Sequence, residues 1–456
     1  MKKEMFGHEI TVLRDTFRRL LRRHAKVNLL KLIEKTHPAD LALIYRHFND
    51  DEQIMLFEMM EPSEETVEFL LELDDSILAV LLFKESPQRI ATIIRESGSG
   101  DQASILAVLP DELSRSVLEL MKADEQAELE EIMGYPEDSA GSLMYTDVFT
   151  LHEDTLAKDA IAALQSFEKA EMVFYLYVID VDGHLSGVIS LRDLVTTKPN
   201  KTLKEIMIKH VYSVRPETDQ EEVAKIVSRY NYLAVPVVDA NNYILGIVTV
   251  DDVVDVIREE ATEDFLQMAG VGKDREIILK NPLQAARMRL PWLFATFLGG
   301  LVVSAVVVGF RELLDKLVIL AAFMPIIAGM GGNVGSQSST IIVRGLATGR
   351  VEFGNALQIL FKEIRVGLLL GVFYGLLLGV VNAFFYPGGS YLLGLVVGLS
   401  ICTSMLIATL IGAAVPLLLR RLDIDPAIAT GPFVTTSTDI LGVLIYFLIA
   451  AAILPV

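Results

Sequence analysis

Residues 281–456 alternate long uncharged stretches with short charged breaks. Residues 290–310 are 21 positions without a charge, and 317–343 are 27. Residues 366–419 make 54 more, divided by "YPGGS" at 386–390, whose Pro and Gly mark a turn. From Pro426 to Val456 a single charge stands, Asp439. About 20 apolar residues cross the hydrocarbon core of a bilayer, so the pattern predicts five transmembrane helices.

The first 280 residues have a different rhythm. From about residue 10 to 133, short segments such as "LALIYRHF", "VEFLLEL", "QASILAVL" and "RSVLELM" carry apolar residues at three- and four-residue spacing and break at Pro, Asp or Gly. That pattern predicts a stack of short helices. An internal duplication follows. "YVIDVDGHLSGVISLRDL" (177–194) parallels "VPVVDANNYILGIVTVDDV" (235–253), matching Asp180 with Asp239, Gly187 with Gly246 and Asp193 with Asp252. Upstream, "VFTLHEDT" (148–155) parallels "VYSVRPET" (211–218). Each copy reads as a helix, two strands joined by a turn, and a second helix. Residues 251–290 then read as one long helix feeding the first span.

Charge separates the two parts further. The formal net charge is −20, and residues 1–280 carry 53 acidic against 30 basic residues. So acidic a surface repels nucleic acid and concentrates cations. On a helix, Asp252, Asp255 and Glu259 share one face, as do Glu260, Glu263 and Asp264, and like charges so placed call for a counter-ion. A divalent cation is the reading taken here, with a solvated acidic face as the alternative.

Basic residues set the orientation. In a five-span arrangement Lys280, Arg287, Arg289, Arg344, Arg350, Lys362, Arg365, Arg420 and Arg421 fall on one side, and only Arg311 and Lys316 on the other. By the positive-inside rule the large acidic part is cytoplasmic and the C-terminus lies outside, as expected of a multi-pass cell-membrane protein. "MKKEMFGHEI" lacks the apolar core of a secretory signal. Cys402 is the only cysteine, which excludes an intramolecular disulfide, and all seven histidines precede the membrane part.

That leaves oxygen chemistry at membrane depth. "MPIIAGMGGNVGSQSSTIIVRGL" (324–346) brings Asn333 and Gln337, and 435–438 bring Thr, Thr, Ser and Thr beside Asp439. Small residues serve helix packing, but packing does not need Asn333 or Gln337. An aspartate at mid-membrane costs about 2.5–3.5 kcal/mol on insertion scales and faces a polar cavity or a partner. No Lys or Arg lies at comparable depth, so a water-filled cation pathway is the economical reading. Oxygen ligands without His or Cys select a hard cation such as Mg2+, Ca2+ or Mn2+.

The duplicated segment resembles a tandem pair of CBS domains. Ser190-x-x-Asp193 and Thr249-x-x-Asp252 are similar to the positions at which such pairs hold a nucleotide ribose, ATP among the candidates. Beyond it, "GGNVGSQSSTIIVRGLATG" (331–349) and "DPAIATGPFVTTSTDILGVLIYF" (425–447) closely resemble the membrane signatures of the MgtE family of magnesium channels and transporters. The resemblance covers essentially the whole chain. It implies a multidomain protein: a superhelical N-domain (1–135), an α/β CBS pair (136–257), a connecting plug helix (258–284) and a five-helix transmembrane domain (285–456). It also implies a homodimer in the lipid membrane with its pore at the subunit interface, lined by Asn333 and Asp439. Cytosolic Mg2+ would close that pore through Asp252, Asp255, Glu260, Glu263, Asp264 and Asp425.

One departure stands out. Where the family often runs "DDAADLL", this chain has "GDQASIL" (100–106), leaving Asp101 as the one carboxylate there. The expectation is weak docking of the N-domain on the CBS pair, strengthened by Gly100→Asp with Ser104→Asp, unless Asp101 is only a helix cap. Other classes remain open: a proton- or sodium-coupled exporter, a broader Co2+ or Mn2+ channel, or a sensor anchored by its spans. An enzyme is disfavoured, because the soluble part shows no nucleophile–base pair, P-loop or histidine cluster.

Overall fold

The computed structural model describes residues 2–167, 174–271, 281–351, 354–385, 391–422, 424–429 and 431–454. The chain divides into two compact units, Met1–Arg258 and Glu259–Val456.

The first unit begins with a run of mostly 8–10-residue helices, each started by its own cap. Asn49 accepts from the Glu52 N–H at 2.9 Å while Glu52 accepts from the Asn49 N–H at 3.2 Å, a reciprocal capping box. Ser63 caps Glu64–Leu71, and Ser86 caps Pro87–Ile94, whose proline stands where no helical N–H is needed. The inward faces form a continuous core from Phe17 to Ile132, including Tyr45 and Phe69 edge to face at 5.0 Å. Each fully buried Leu, Ile or Phe contributes about 1.5–3 kcal/mol, so packing rather than propensity holds such short helices.

The duplication folds as the periodicity predicts. Strand β1 (Thr150–His152) runs parallel to β2 (Tyr175–Ile179), which pairs antiparallel with β3 (Leu185–Ser190). In the second copy β4 (Ala234–Val238) pairs antiparallel with β5 (Ile244–Thr249), and Val214 bridges Val237 in parallel where Leu151 pairs with Val178 in the first. Matched residues do matched work. Asp180 Oδ1 accepts from the Asp182 and His184 N–H groups at 2.9 Å, and Asp239 Oδ1 accepts from Asn241 and Tyr243 at 2.9 and 2.8 Å. Both are Asx turns closing a hairpin. At Gly187 a Cβ would sit 2.6 Å from Met207 Sδ, and at Gly246 2.7 Å from the Tyr145 carbonyl. Neither site has room for a side chain.

The long helix expected over 251–290 is shorter. Val250–Met268 is helical and then stops: Gly270 takes φ +70°, and the Val271 N–H bonds the Leu266 carbonyl at 3.0 Å. This is a Schellman-type ending, which needs a residue free to turn left-handed. Residues 272–280 of the expected connecting helix lie outside the described residues.

The second unit contains five long helices: Pro282–Gly309, Leu320–Ala347, Ala356–Phe385, Tyr391–Arg421 and Pro432–Ile453. Among the described residues, four of these are long and apolar enough to cross a membrane. The second, Leu320–Ala347, has the length at 28 residues but falls short in hydropathy because of its Gly, Ser, Asn and Gln content. The "YPGGS" turn lies outside the described residues. Helix backbones meet at glycines: a Cβ on Gly412 would strike the Gly335 carbonyl, and one on either Gly375 or Gly398 would strike the carbonyl of the other.

Candidate functional site

In the first unit, two carboxylates and a phenol meet where the helix Ser99–Val108 packs on the duplicated domain. The Tyr145 hydroxyl lies 2.8 Å from Asp101 Oδ1 and 3.3 Å from Asp252 Oδ1, and Thr249 Oγ1 donates to Asp252 Oδ2 at 2.5 Å. Ser99 Oγ and Thr146 Oγ1 add a contact at 2.8 Å beside them. Gly100 is buried, and a Cβ there would stand 3.2 Å from the Met144 carbonyl. Ser104 is exposed and returns its hydroxyl to the Gly100 carbonyl at 3.1 Å.

Two expectations change as a result. Asp101 is no helix cap, since the cap position is Gly98 and the Asp101 carboxylate reaches across to Tyr145. The geometry does not favour the Gly100→Asp, Ser104→Asp pair as a way to strengthen docking, because Gly100 sits tightly against the Met144 carbonyl and Ser104 faces solvent. The docking runs through a direct hydrogen-bonded contact of Asp101 and Asp252 with Tyr145.

Burial pushes the Asp252 carboxyl up to about 7, with Asp251 and Asp101 adding to the rise and the Thr249 bonds opposing it. Burial also raises Asp101, against the bond from Tyr145. The native state therefore holds protons that the unfolded chain has lost between the ordinary carboxylate range, about 4, and about 7. Stability from this contact is present at the acid end of that window and lost as pH rises through it. In EDTA, hydrogen-exchange protection of residues 99–108, corrected for the intrinsic exchange rate, should fall between about pH 4 and about pH 7 and level off above, and Asp252→Asn should flatten the profile. Protection independent of pH in the parent would remove Asp252 from this role.

The other acidic positions fall elsewhere. Asp255 is exposed and pairs with Arg258 at 3.1 Å. Glu260, Glu263 and Asp264 are half-buried on the part of the helix belonging to the second unit, where Glu263 accepts from Gln267 at 2.8 Å. Asp425 caps the short turn Pro426–Ala429 through the Ala427 N–H at 2.8 Å. Just beyond it, a Cβ on Gly431 would stand 2.9 Å from the Met268 carbonyl, and one on Gly270 3.0 Å from the Pro432 ring. The end of the acidic helix thus abuts the start of the fifth long helix.

Ser190 Oγ donates to Asp193 Oδ2 at 2.7 Å and accepts from the Asp193 N–H at 3.1 Å, capping the helix Leu191–Thr196. Asp193 is exposed, whereas its counterpart Asp252 is half-buried and held by both Thr249 and Tyr145.

In the second unit Asp439 is half-buried on the fifth long helix, and a Cβ at Gly332 would come within 3.5 Å of its Oδ1. No hydrogen bond or ion pair reaches Asp439 among the described residues. Gly332, Val334, Gly335, Ser338 and Ser339 of the second long helix are buried, while Asn333, Gln337 and Thr340 are exposed along one stripe.

Sequence reasoning missed Glu363. It lies between Lys362 and Arg365 in the sequence, yet it is buried and accepts from Ser338 Oγ at 2.9 Å. The signal was its register: it continues, four residues earlier, the series Gly367, Gly371, Gly375, Gly379 that faces the fourth helix. Glu363→Ala should cost about 1–3 kcal/mol by stranding the Ser338 hydroxyl, read as a lower melting temperature in detergent, with Glu363→Gln milder. Equal melting of all three proteins would show the bond contributes nothing.

Three family models match. The divalent cation transporter domain MgtE matches residues 324–449, the MgtE intracellular N domain 36–138, and the CBS domain 140–199 and 203–259. The magnesium transporter MgtE of Bacillus subtilis is 35% identical over 95% of this chain and 96% of its own length. That of Thermus thermophilus is 35% identical over 93% of this chain and 95% of its own. Among solved structures, the cytosolic domain of the Mg2+ channel MgtE in complex with ATP is 31% identical, with a TM-score of 0.51 over 53% of this chain and 99% of that one.

Proposed function

The chain belongs to the MgtE family and is a magnesium transporter, and we propose that Mg2+ crosses between two copies of its second unit, under closure by cytosolic Mg2+. The observation that carries this reading is the stripe of Asn333, Gln337 and Thr340, exposed in the single chain on a helix otherwise packed through buried small residues. Facing lipid, those side chains would lose hydrogen bonds with nothing in return. Facing a second copy across water, they and Asp439 supply oxygens to a hydrated hard cation, and Mg2+ keeps several of its waters when bound. All five long helices then span the membrane, the second tolerating its polarity by lining the pathway. The nine basic residues on one side support a cytoplasmic first unit and an outer C-terminus.

Closure follows from the acidic helix. Glu260, Glu263 and Asp264 with Asp425 would take Mg2+ beside the contact of Gly431 with Met268, so that an ion held there fixes the start of the helix bearing Asp439. Asp101 and Asp252, joined through Tyr145, would form the corresponding cytosolic group in the first unit, with the exposed Asp255 one turn on. ATP, bound by the relative's cytosolic domain, would use Ser190 and the exposed Asp193, since Asp252 already takes bonds from Tyr145 and Thr249.

Mg2+ uptake into proteoliposomes across a series of internal Mg2+ concentrations tests the whole reading. Uptake that declines as internal Mg2+ rises, and persists when the pH and sodium gradients are collapsed, supports a self-closing channel. Uptake that vanishes with either gradient would assign coupled exchange instead. Equal uptake of Co2+ or Mn2+ would make the channel a general divalent one.

A further inference from the structure

A cavity of about 630 Å³ lies within the first unit, between the N-terminal helices and the duplicated domain. One wall carries Phe149, Tyr175 and Tyr177; around them stand the carboxylates of Glu64, Glu96, Glu125, Glu128, Asp147 and Asp251. Among the described residues Arg95 and Lys122 are the two cations lining it, and both turn to Glu125, Lys122 at 2.9 Å and Arg95 at 3.9 Å, with Arg95 also bonding the Leu120 carbonyl at 2.5 Å.

An independent feature points to an occupant. Tyr177 is 2% exposed, and its hydroxyl finds no hydrogen-bond partner among the described residues. Burial raises its pKa, so it stays a neutral phenol with a lone pair to offer. A buried polar group left so costs about 1–3 kcal/mol, which a ligand N–H would recover. Phosphate is opposed by the surplus of carboxylates and would have to displace Glu125 from both cations. A bare metal ion would use neither the aromatic wall nor a volume typical of organic ligand sites.

We propose that this cavity binds an organic polycation of the polyamine class, with one ammonium group against the Tyr177 hydroxyl and the aromatic faces and the others among the carboxylates. Cation–π attraction and carboxylate pairing then act on one molecule. Because its walls come from both the N-terminal helices and the duplicated domain, the occupant joins the same two parts as the Asp101–Tyr145–Asp252 contact without using those carboxylates. The inference does not depend on the transport reading.

The test is calorimetric titration of spermidine into the full-length protein in detergent with EDTA present, alongside adenosine and ATP. Spermidine should bind saturably. Tyr177→Phe, which keeps the ring and loses only the hydroxyl, should weaken it about fivefold, in line with one lost hydrogen bond. Glu96→Gln with Asp251→Asn, both at exposed positions, should weaken it about tenfold or more and reduce its salt dependence. Spermidine heats that are absent, or equal in parent and both variants, overturn the proposal. So does adenosine or ATP binding more tightly than spermidine and losing affinity in Tyr177→Phe. If Tyr177→Phe does not fold, the exposed pair decides alone.

Discussion

Asp439→Ala should reduce Mg2+ flux about 100-fold or more while leaving a folded, membrane-inserted protein. Asp439 is the only charge between Pro426 and Val456, and its carboxylate has no protein partner among the described residues, so its field is available to an ion. A unit charge about 4 Å from an ion at an effective dielectric near 20 contributes about 4 kcal/mol per ionic charge, against which a few waters recover part. Two copies at one interface would both lose it. Removing the carboxylate also relieves an insertion cost of about 2.5–3.5 kcal/mol, so the variant should insert at least as well as the parent. Asp439→Asn separates charge from shape and should behave like the alanine variant. Asn333→Ala should fall by less than about tenfold, because it removes a neutral oxygen worth about 1 kcal/mol. Near-normal uptake by Asp439→Ala in proteoliposomes would dismiss this residue from the pathway.

Most of the architecture was legible because each feature left a local mark. Asp180 and Asp239 repeat because each closes a hairpin through its own side chain, and Gly187 and Gly246 repeat because a neighbouring chain passes too close for a Cβ. Charge-free stretches located all five long helices, including the one whose hydropathy falls short. What failed were relations between distant residues. Tyr145 carries no periodic signal, yet it reaches Asp101 across 44 positions of sequence and Asp252 across 107. Glu363 sits among exposed charges in the sequence, and only the glycine register of its helix shows which way it points. The end of the acidic helix at Met268 was also marked, by Gly270, but the helical periodicity running through it masked the stop.

Neutralising Glu260, Glu263, Asp264 and Asp425 together, as Gln, Gln, Asn and Asn, should leave the pathway open at internal Mg2+ levels that shut the parent. The first three share the final turns of a helix whose last carbonyl, at Met268, lies against Gly431, one residue before the helix carrying Asp439. Without an ion these carboxylates repel one another and favour separation; with Mg2+ among them the same charges favour approach. Closure is the difference in Mg2+ affinity between the two arrangements, so each carboxylate removed lowers the most that the ion can contribute. Losing a tenfold affinity difference removes about 1.4 kcal/mol from closing, and the midpoint of inhibition should move at least tenfold to higher Mg2+. Asp425→Asn alone keeps an oxygen for the Ala427 N–H and should shift the midpoint less. The variants should match the parent in uptake at low internal Mg2+, since none of the four lies on the Asn333 and Gln337 stripe. A quadruple variant that closes at the parent's Mg2+ level would return these residues to a solvated acidic face, and sensing would then rest on Asp101, Asp252 and Asp255 in the first unit.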